Sequence, residues 1–178
     1  MKAKAIISTP KVVDSIFRKT VIVMVKEYKN SHIGLIVNRP MNENIKTFWQ
    51  DLNYDLQIED QKKIRFGGPV FGPVVMLMHK IKKYANYAVL PDVYLSVQYK
   101  DIQKIIEQTN FYELYVGYCA WVPDQLNKEI SKGVWWKTDV KEDMIFGPDY
   151  NLWDELKQKQ DLVLLEKLDI KNQNFQFN

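Results

Sequence analysis

Residues Leu114–Trp136, LYVGYCAWVPDQLNKEISKGVWW, decide the fold that we expect of this chain. The run Leu114–Cys119 carries no charge, which is typical of a β-strand covered on both faces. Pro123 and Asp124 suit a first helical turn, because proline lacks an N–H that would stay unpaired there and the carboxylate meets the positive end of the helix dipole. Gly133 supplies a left-handed residue that ends the helix. The stretch therefore predicts a strand, a short helix and a second strand.

Cys119 stands where the predicted strand meets the turn into this helix. The segment GYCAW at 117–121 resembles the turn that exposes a nucleophile beneath an oxyanion hole. The second glycine of that turn is absent, and neither His32 nor His79 stands in a context typical of a catalytic base. A single cysteine in an apolar strand is more often a small buried side chain. We therefore predict no catalytic residue and leave an enzyme as the less favoured class.

The composition is that of an ordinary globular protein, with 46% hydrophobic and 26% charged residues in a chain of 178. This length predicts one domain over residues 1–178, with a frayed tail at about 171–178. No apolar run reaches the roughly 20 residues that span a bilayer, and the N-terminus lacks the features of a secretory signal. One cysteine excludes an internal disulfide. We expect a cytoplasmic protein with no membrane association.

The charge of the chain is nearly balanced, with a formal net charge of +3 at pH 7. This charge is too small to indicate a polyanionic partner by itself. Arginine occurs at Arg18, Arg39 and Arg65, and the other basic residues are lysines. Base readout in the major groove depends on the planar fork of arginine, which lysine does not reproduce. Sequence-specific DNA recognition is therefore not supported, while phosphate contact through lysines stays open.

Short apolar, β-branched runs separated by turns predict a sheet. Thr20–Lys26 and His32–Val37 are expected to form a hairpin, and the isoleucine spacing within Asp101–Gln108 predicts an amphipathic helix. Leu162–Leu165 fits either a strand or a helix. Further helices are predicted over Ile45–Leu52 and around Leu152–Leu156, and further strands over Lys2–Ile7, Ile64–Phe66, Val74–His79, Tyr87–Leu90 and Val93–Val97. The mixture predicts an α+β domain.

Arg39 is the first candidate for binding a ligand. Asn38-Arg39-Pro40 ends the second strand of the hairpin, and the proline holds Arg39 in an extended conformation. A guanidinium group fixed there either pairs with a carboxylate, such as Glu129 or Asp124, or receives an anion, and the pair is the favoured interpretation. No second ligand stands at metal spacing from His32, so we predict no metal site. Nothing in the sequence indicates a cofactor.

The double glycine Gly67-Gly68 is the second candidate. Followed by Pro69, it predicts a chain reversal whose N–H groups could cradle a phosphate. The segment lacks the phosphate-loop pattern, so a purely structural turn is the favoured interpretation. The N-terminus of the helix near Pro123 would offer further backbone donors to an anion.

Three blocks of this sequence resemble the signature blocks of the AlgH/YqgE family of bacterial proteins. They are HIGLIVNRP at 32–40, FGGPV at 66–70 and GYCAWVPDQLNKEISKGVWW at 117–136, and Phe146 with Trp153 resembles the closing segment of the family. The chain departs from the family pattern at Ala120, where glycine is usual, and at Cys119, where alanine or serine is more common. The second departure counts against the thiol as a shared catalytic group.

The resemblance implies a single compact domain with a mixed, partly barrel-like sheet flanked by helices, in the bacterial cytoplasm. It implies a regulatory role, labelled in the family as transcriptional regulation, without an established biochemical activity. A non-enzymatic regulatory or interaction protein with an unknown protein partner is therefore the favoured function, and a binder or enzyme of a small anionic ligand is the alternative. The positions that match the family blocks, and that we expect at a ligand site, are Asn38, Arg39, Gly67, Gly68, Gln125 and Glu129.

Overall fold

The computed structural model describes residues 4–29, 31–44, 62–147 and 151–175. The helix predicted over Ile45–Leu52 lies outside these ranges. Within them the strands are β1 (Lys4–Ser8), β2 (Val21–Tyr28), β3 (Ser31–Ile36), β4 (Pro40–Asn44), β5 (Lys63–Phe66), β6 (Val70–His79), β7 (Tyr87–Leu90), β8 (Val93–Ser96), β9 (Tyr112–Trp121) and β10 (Trp135–Asp139). The helices are a 3-10 turn (Lys82–Tyr84), α1 (Tyr99–Gln108), α2 (Gln125–Ser131), α3 (Asp143–Phe146) and α4 (Leu152–Phe175).

Strand β9 organises the sheet. One edge pairs antiparallel with β6, while the other edge pairs in parallel with β5 and then, from Cys119 to Trp121, antiparallel with β3. The strand order is β10-β1-β2-β3-β9-β6-β8-β7, with β4 beside β5. The sheet curls until Lys26 on β2 donates a 3.0 Å hydrogen bond to the hydroxyl of Tyr87 on β7. The predicted α+β fold with a mixed, partly barrel-like sheet is confirmed.

Hydrophobic packing covers both faces of this curled sheet. Helix α1 buries Ile102, Ile105 and Ile106 against one face, as its spacing predicts. The start of α4 packs into the other face through Trp153, whose indole N–H donates a 2.9 Å hydrogen bond to the carbonyl of Ser8. A third cluster lies under α2 and contains Ile6, Ile22, Ile36, Cys119, Trp121, Leu126 and Trp135. This third cluster positions the site described below.

Two glycine segments cross at van der Waals distance where β5 ends beside β9. The N–H of Gly67 donates to the carbonyl of Val116 over 2.8 Å, and the carbonyl of Gly67 accepts from Ile36 over 2.9 Å. A Cβ on Gly67 would lie 2.2 Å from the carbonyl oxygen of Gly117, and one on Gly117 would lie 2.4 Å from that of Gly68. The crossing therefore requires residues without side chains.

The chain turns differently from the prediction at two places. Strand β9 continues through Trp121, beyond the run Leu114–Cys119 that predicted it. Helix α2 begins at Gln125 rather than with Pro123 and Asp124 in its first turn, because Asp124 adopts a left-handed conformation with φ 63°. A further short strand, β4, begins at Pro40, because a proline in the first position of a strand removes no hydrogen bond that the ladder needs.

In the described part of the chain, the buried ion pair involves Arg65 rather than Arg39. Arg65 Nε donates to Glu113 Oε2 over 2.7 Å, and both side chains are 6% exposed. Arg65 Nη1 also donates to the carbonyl of Val37 over 2.7 Å, and Lys62 Nζ lies 3.2 Å from Glu113 Oε1. These contacts compensate the charges and tie β5 to β9 and to the end of β3.

The C-terminal segment is helical. Leu162–Leu165, for which a strand or a helix was predicted, lies inside α4, whose backbone is helical to Phe175. Residues 176–178 lie outside the described ranges, and the frayed tail stays a prediction.

Candidate functional site

The candidate site is built by the segment from β9 through α2 to β10. Helix α2 ends in a pair of bonds in which Gly133 N–H donates to Ile130 over 3.0 Å and Val134 N–H donates to Glu129 over 3.0 Å. This is the Schellman arrangement, and Gly133 takes the left-handed conformation predicted for it, with φ 73°. The sharp end of the helix returns the chain so that Trp135 begins β10 beside Glu129.

The carboxylate of Glu129 is the centre of the site. Its Oε2 accepts hydrogen bonds from the indole N–H of Trp121 over 2.9 Å and from that of Trp135 over 2.7 Å. Its Oε1 accepts from Gln125 Nε2 over 2.8 Å. The amide oxygen of Gln125 in turn accepts from Val122 N–H over 3.2 Å. One partly buried carboxylate thus joins the end of β9, helix α2 and the start of β10.

The ring of Trp135 packs at nearly right angles against two other aromatic rings, those of Trp121 and Phe17. The ring centroids of Trp121 and Trp135 are 6.2 Å apart at an interplanar angle of 86°, and those of Phe17 and Trp135 are 5.6 Å apart at 89°. Phe17 is held there because Asp14 Oδ1 accepts from the N–H groups of Ile16 and Phe17 over 2.9 and 3.1 Å. Edge-to-face pairs of this kind are favourable for aromatic rings.

A cavity of about 390 Å³ lies against these groups. Asp14, Pro69, Val70 and Ala120 are exposed and form its opening. We call it the Glu129 cavity, and it is lined by Val12, Asp14, Phe17, Pro69, Val70, Cys119, Ala120, Trp121, Gln125, Glu129, Val134 and Trp135. Its volume is within the range of about 300 to 1,000 Å³ that is usual for small-molecule sites.

Cys119 lines this cavity without being a prepared nucleophile. The side chain is 2% exposed, and burial raises the pKa of its thiol to about 12. Its Sγ donates to the carbonyl of Gly67 over 3.6 Å. A reactive cysteine needs an electropositive setting that favours the thiolate, and this setting does the reverse.

Asn38 and Arg39 lie outside the cavity lining. The Asn38 side chain accepts from Val21 N–H and donates to the carbonyl of Lys19, both over 2.9 Å, and so fixes the start of β2. Arg39 is partly buried and donates through Nη2 to the carbonyl of Arg18. No carboxylate in the described ranges pairs with Arg39, so the favoured pairing with Glu129 or Asp124 is wrong.

Three of the backbone donors that the sequence offered to an anion, those of Gly67, Val122 and Gln125, are engaged within the fold. The N–H of Gly67 is bonded to Val116, and the N–H groups of Val122 and Gln125 are bonded to the Gln125 side chain and to the Val122 carbonyl. Of the six predicted site residues, the structure therefore brings Gln125 and Glu129 together at the cavity. Gly67 and Gly68 lie beside it in the crossing with β9.

His79 is a structural residue of the sheet. It is fully buried and accepts from Ile81 N–H at Nδ1 over 3.1 Å, so Nε2 carries the proton and lies 2.8 Å from Ser96 Oγ. Burial lowers the pKa of its imidazole to about 4, and the charge of Asp101 opposes this shift in part. Across the described ranges, no group of three or more His, Cys, Asp or Glu residues has the geometry of a metal site.

Four residues that build the site were not predicted: Asp14, Phe17, Trp121 and Trp135. One available signal was the i, i+4 spacing of Gln125 and Glu129, which places a donor amide beside a carboxylate on one helix face. A second signal was the tryptophan on each side of this helix, since a buried indole N–H needs an acceptor.

No helix in the described part of the chain is long and apolar enough to cross a membrane.

Comparison with known proteins places the chain among proteins of the same fold. The solution structure of the AlgH protein from Pseudomonas aeruginosa is similar with a TM-score of 0.69 and 23% identity, covering 82% of this chain and 80% of that one. A crystal structure of a Corynebacterium diphtheriae protein is similar with a TM-score of 0.70 and 14% identity, covering 88% of this chain and 85% of that one. At these identities the similarity shows the fold.

Sequence relatives and a family profile agree with this result. The UPF0301 protein of Shewanella denitrificans is 24% identical over 160 residues, which cover 86% of this chain and 87% of the relative. A UPF0301 protein of Rickettsia akari is 29% identical over 154 residues, which cover 82% and 80%. The profile of the family described as AlgH-like matches residues 5–164. The chain therefore belongs to the AlgH-like family, whose biochemical activity is not characterised.

Proposed function

We propose that this chain is a non-enzymatic regulatory protein of the bacterial cytoplasm that binds a small molecule in the Glu129 cavity. The observation that carries the proposal is the position of Glu129, whose carboxylate holds two indole groups and lines an open cavity at the same time. Small-molecule sites combine apolar and aromatic walls with a few precisely placed polar groups, and the lining of this cavity has that composition.

The groups around the cavity favour binding over chemistry. A nucleophile must stand beside a base, and a base must reach its substrate. Cys119 has a pKa raised to about 12, and both ring nitrogens of His79 are engaged within the sheet. None of the described residues that line the cavity is a His, Lys or Arg. These observations support a ligand that is bound and released unchanged.

The position of the cavity would also allow ligand binding to change the protein surface. Glu129 lies on α2 together with Asn127 and Lys128, which are exposed. A ligand that contacts Glu129 would bias the position of this seven-residue helix, and a partner protein would read the exposed face.

A thermal-shift screen of a metabolite panel tests the proposal. Wild type is compared with Ala120→Leu, which fills the exposed opening of the cavity, and with Ala88→Leu, which adds the same side chain to an exposed position on β7. We expect a compound of the panel to stabilise wild type and Ala88→Leu saturably and to have no effect on Ala120→Leu. Mass spectrometry should show that this compound is unchanged after incubation with the protein. Conversion of the ligand, or a panel without any stabilising compound, would overturn the proposal.

A further inference from the structure

We propose that the ligand of the Glu129 cavity is a small organic cation, an amine or ammonium group on an apolar body. This inference rests on the proposed function. Among the described residues that line the cavity there are two carboxylates, those of Asp14 and Glu129, and no lysine, arginine or histidine. The charge of the lining therefore attracts a cation and repels an anion.

The carboxylate of Glu129 has capacity for one further donor. A carboxylate offers about four lone-pair positions on its two oxygens. Two positions on Oε2 accept from Trp121 and Trp135, and one position on Oε1 accepts from Gln125. The remaining position on Oε1 suits an ammonium N–H, since charge-assisted hydrogen bonds are roughly twice as strong as neutral ones.

The three donors that hold Glu129 are neutral, and no basic residue of the described chain forms an ion pair with it. Glu113 differs, because Arg65 and Lys62 compensate its charge. A partly buried carboxylate is more stable with a countercharge beside it. In the Glu129 cavity a cationic ligand would supply that countercharge.

The walls of the cavity suit the apolar body of such a ligand. Phe17, Trp121 and Trp135 contribute aromatic rings in perpendicular pairs. Val70 and Val134 add aliphatic surface at the lining. Aromatic faces attract cations as well as apolar groups, and tryptophan does so most strongly. Carboxylate and rings together recognise a cation that carries hydrocarbon rather than a hydrated metal ion.

Asp14 provides a second carboxylate at the opening. Its Oδ1 accepts from two backbone N–H groups, and its Oδ2 accepts no hydrogen bond from the residues in the described ranges. Because Asp14 is exposed, it would attract a cation from solvent before the ligand reaches Glu129.

Three probes of nearly equal shape and different charge test the inference: 2-phenylethylamine, 2-phenylethanol and phenylacetate. Calorimetric titration of wild type should give saturable binding of the amine, with the alcohol at least about tenfold weaker and the acid weaker still, since a charge-assisted hydrogen bond contributes roughly 1.5–3 kcal/mol. Glu129→Gln keeps the side-chain shape and should weaken binding of the amine by about the same tenfold factor. Near-ultraviolet circular dichroism verifies that this variant is folded.

Ala120→Leu, with Ala88→Leu as its control, separates the two proposals. If all three probes bind equally and Ala120→Leu abolishes their binding, the proposal of a cationic ligand is wrong, but the cavity is still a ligand site. Amine binding that survives Ala120→Leu would overturn both. The proposal of a cationic ligand is also wrong if any one of three results is found. These are tighter binding of phenylacetate than of the amine, undiminished amine binding by folded Glu129→Gln, and no amine binding at millimolar concentration. If Glu129→Gln does not fold, the charge series on wild type decides alone.

Discussion

The indole N–H of Trp135 donates a 2.7 Å hydrogen bond to Oε2 of Glu129, and this bond fixes the first residue of β10 to helix α2. The same oxygen accepts from Trp121, the last residue of β9. One carboxylate oxygen therefore determines how three successive elements meet. Because Glu129 also lines the cavity, the support of the fold and the candidate binding site share one side chain.

Glu129→Ala should be strongly destabilising. The change leaves the indole N–H groups of Trp121 and Trp135 without their acceptor inside a buried cluster. Hydrogen bonds to a charged acceptor contribute about 1.5–3 kcal/mol each, so we expect the free energy of unfolding to fall by roughly 3 kcal/mol. Urea denaturation at pH 7 measures it.

Glu107→Ala is the matched control for this prediction. Glu107 is exposed on α1, and alanine is a good helix former, so its stability should stay within about 0.5 kcal/mol of wild type. Equal losses in the two variants would show that Glu129 has no special structural role.

Substitutions of Gly67 and Gly133 should distinguish a loss of stability caused by a steric clash from one caused by backbone strain. In Gly67→Ala the new Cβ would lie 2.2 Å from the carbonyl oxygen of Gly117. In Gly133→Ala the nearest heavy atom outside the adjacent residues is Lys11 Nζ at 3.9 Å, and the strain comes from φ +73°. We expect a loss of about 1–2 kcal/mol for Gly133→Ala and a larger loss for Gly67→Ala. Thermal or urea unfolding ranks them, and the reverse order would contradict the crossing described here.

Local pattern predicted much of the fold. The hairpin of β2 and β3 and the buried isoleucines of α1 follow from runs and spacings that leave little choice of face. The extension of β9 through Trp121 was not predictable in the same way. It depends on pairing with β3, which lies some 85 positions earlier in the chain, and a local turn pattern does not contain that information.

The candidate site was predicted in part for the same reason. Gln125 and Glu129 share a helix face, which spacing reveals. Phe17 reaches the site through tertiary packing against Trp135, more than a hundred residues away in sequence. Arg39 stood out because a proline follows it, but the buried arginine is Arg65, whose partner Glu113 lies on a neighbouring strand.

Stability should fall in mild acid because of His79. Its pKa is lowered from 6.5 to about 4 in the folded protein, so between these values the unfolded chain binds more protons than the folded one. The contribution is fully present above pH 6.5 and is lost as the pH falls toward 4, by roughly 3 kcal/mol in total. Urea denaturation at several pH values measures the slope.

His79→Gln should remove this part of the pH dependence. The variant cannot titrate at this position, so its stability should change less between pH 6.5 and 4 even though it is lower at neutral pH. An unchanged slope in His79→Gln would contradict the buried, neutral imidazole.

The hypothesis of a small-anion site makes a different prediction from the hypothesis of a cation site. If Arg39 and the Gly67-Gly68 turn bound a phosphate, inorganic phosphate would stabilise wild type saturably and Arg39→Ala would lose the effect. We expect no such saturable shift, because Arg39 lies outside the cavity and the Gly67 N–H is bonded to Val116. A thermal shift by phosphate that persists in Arg18→Ala and vanishes in Arg39→Ala would favour the anion.

The most direct test of the Glu129 cavity is a titration with 2-phenylethylamine, followed by the nuclear magnetic resonance signals of the indole N–H groups. We predict that the signals of Trp121 and Trp135 shift together and saturate, while that of Trp153, whose indole donates to Ser8 in the core, stays in place. Unshifted Trp121 and Trp135 signals at millimolar amine, or an equal shift of Trp153, would contradict the account.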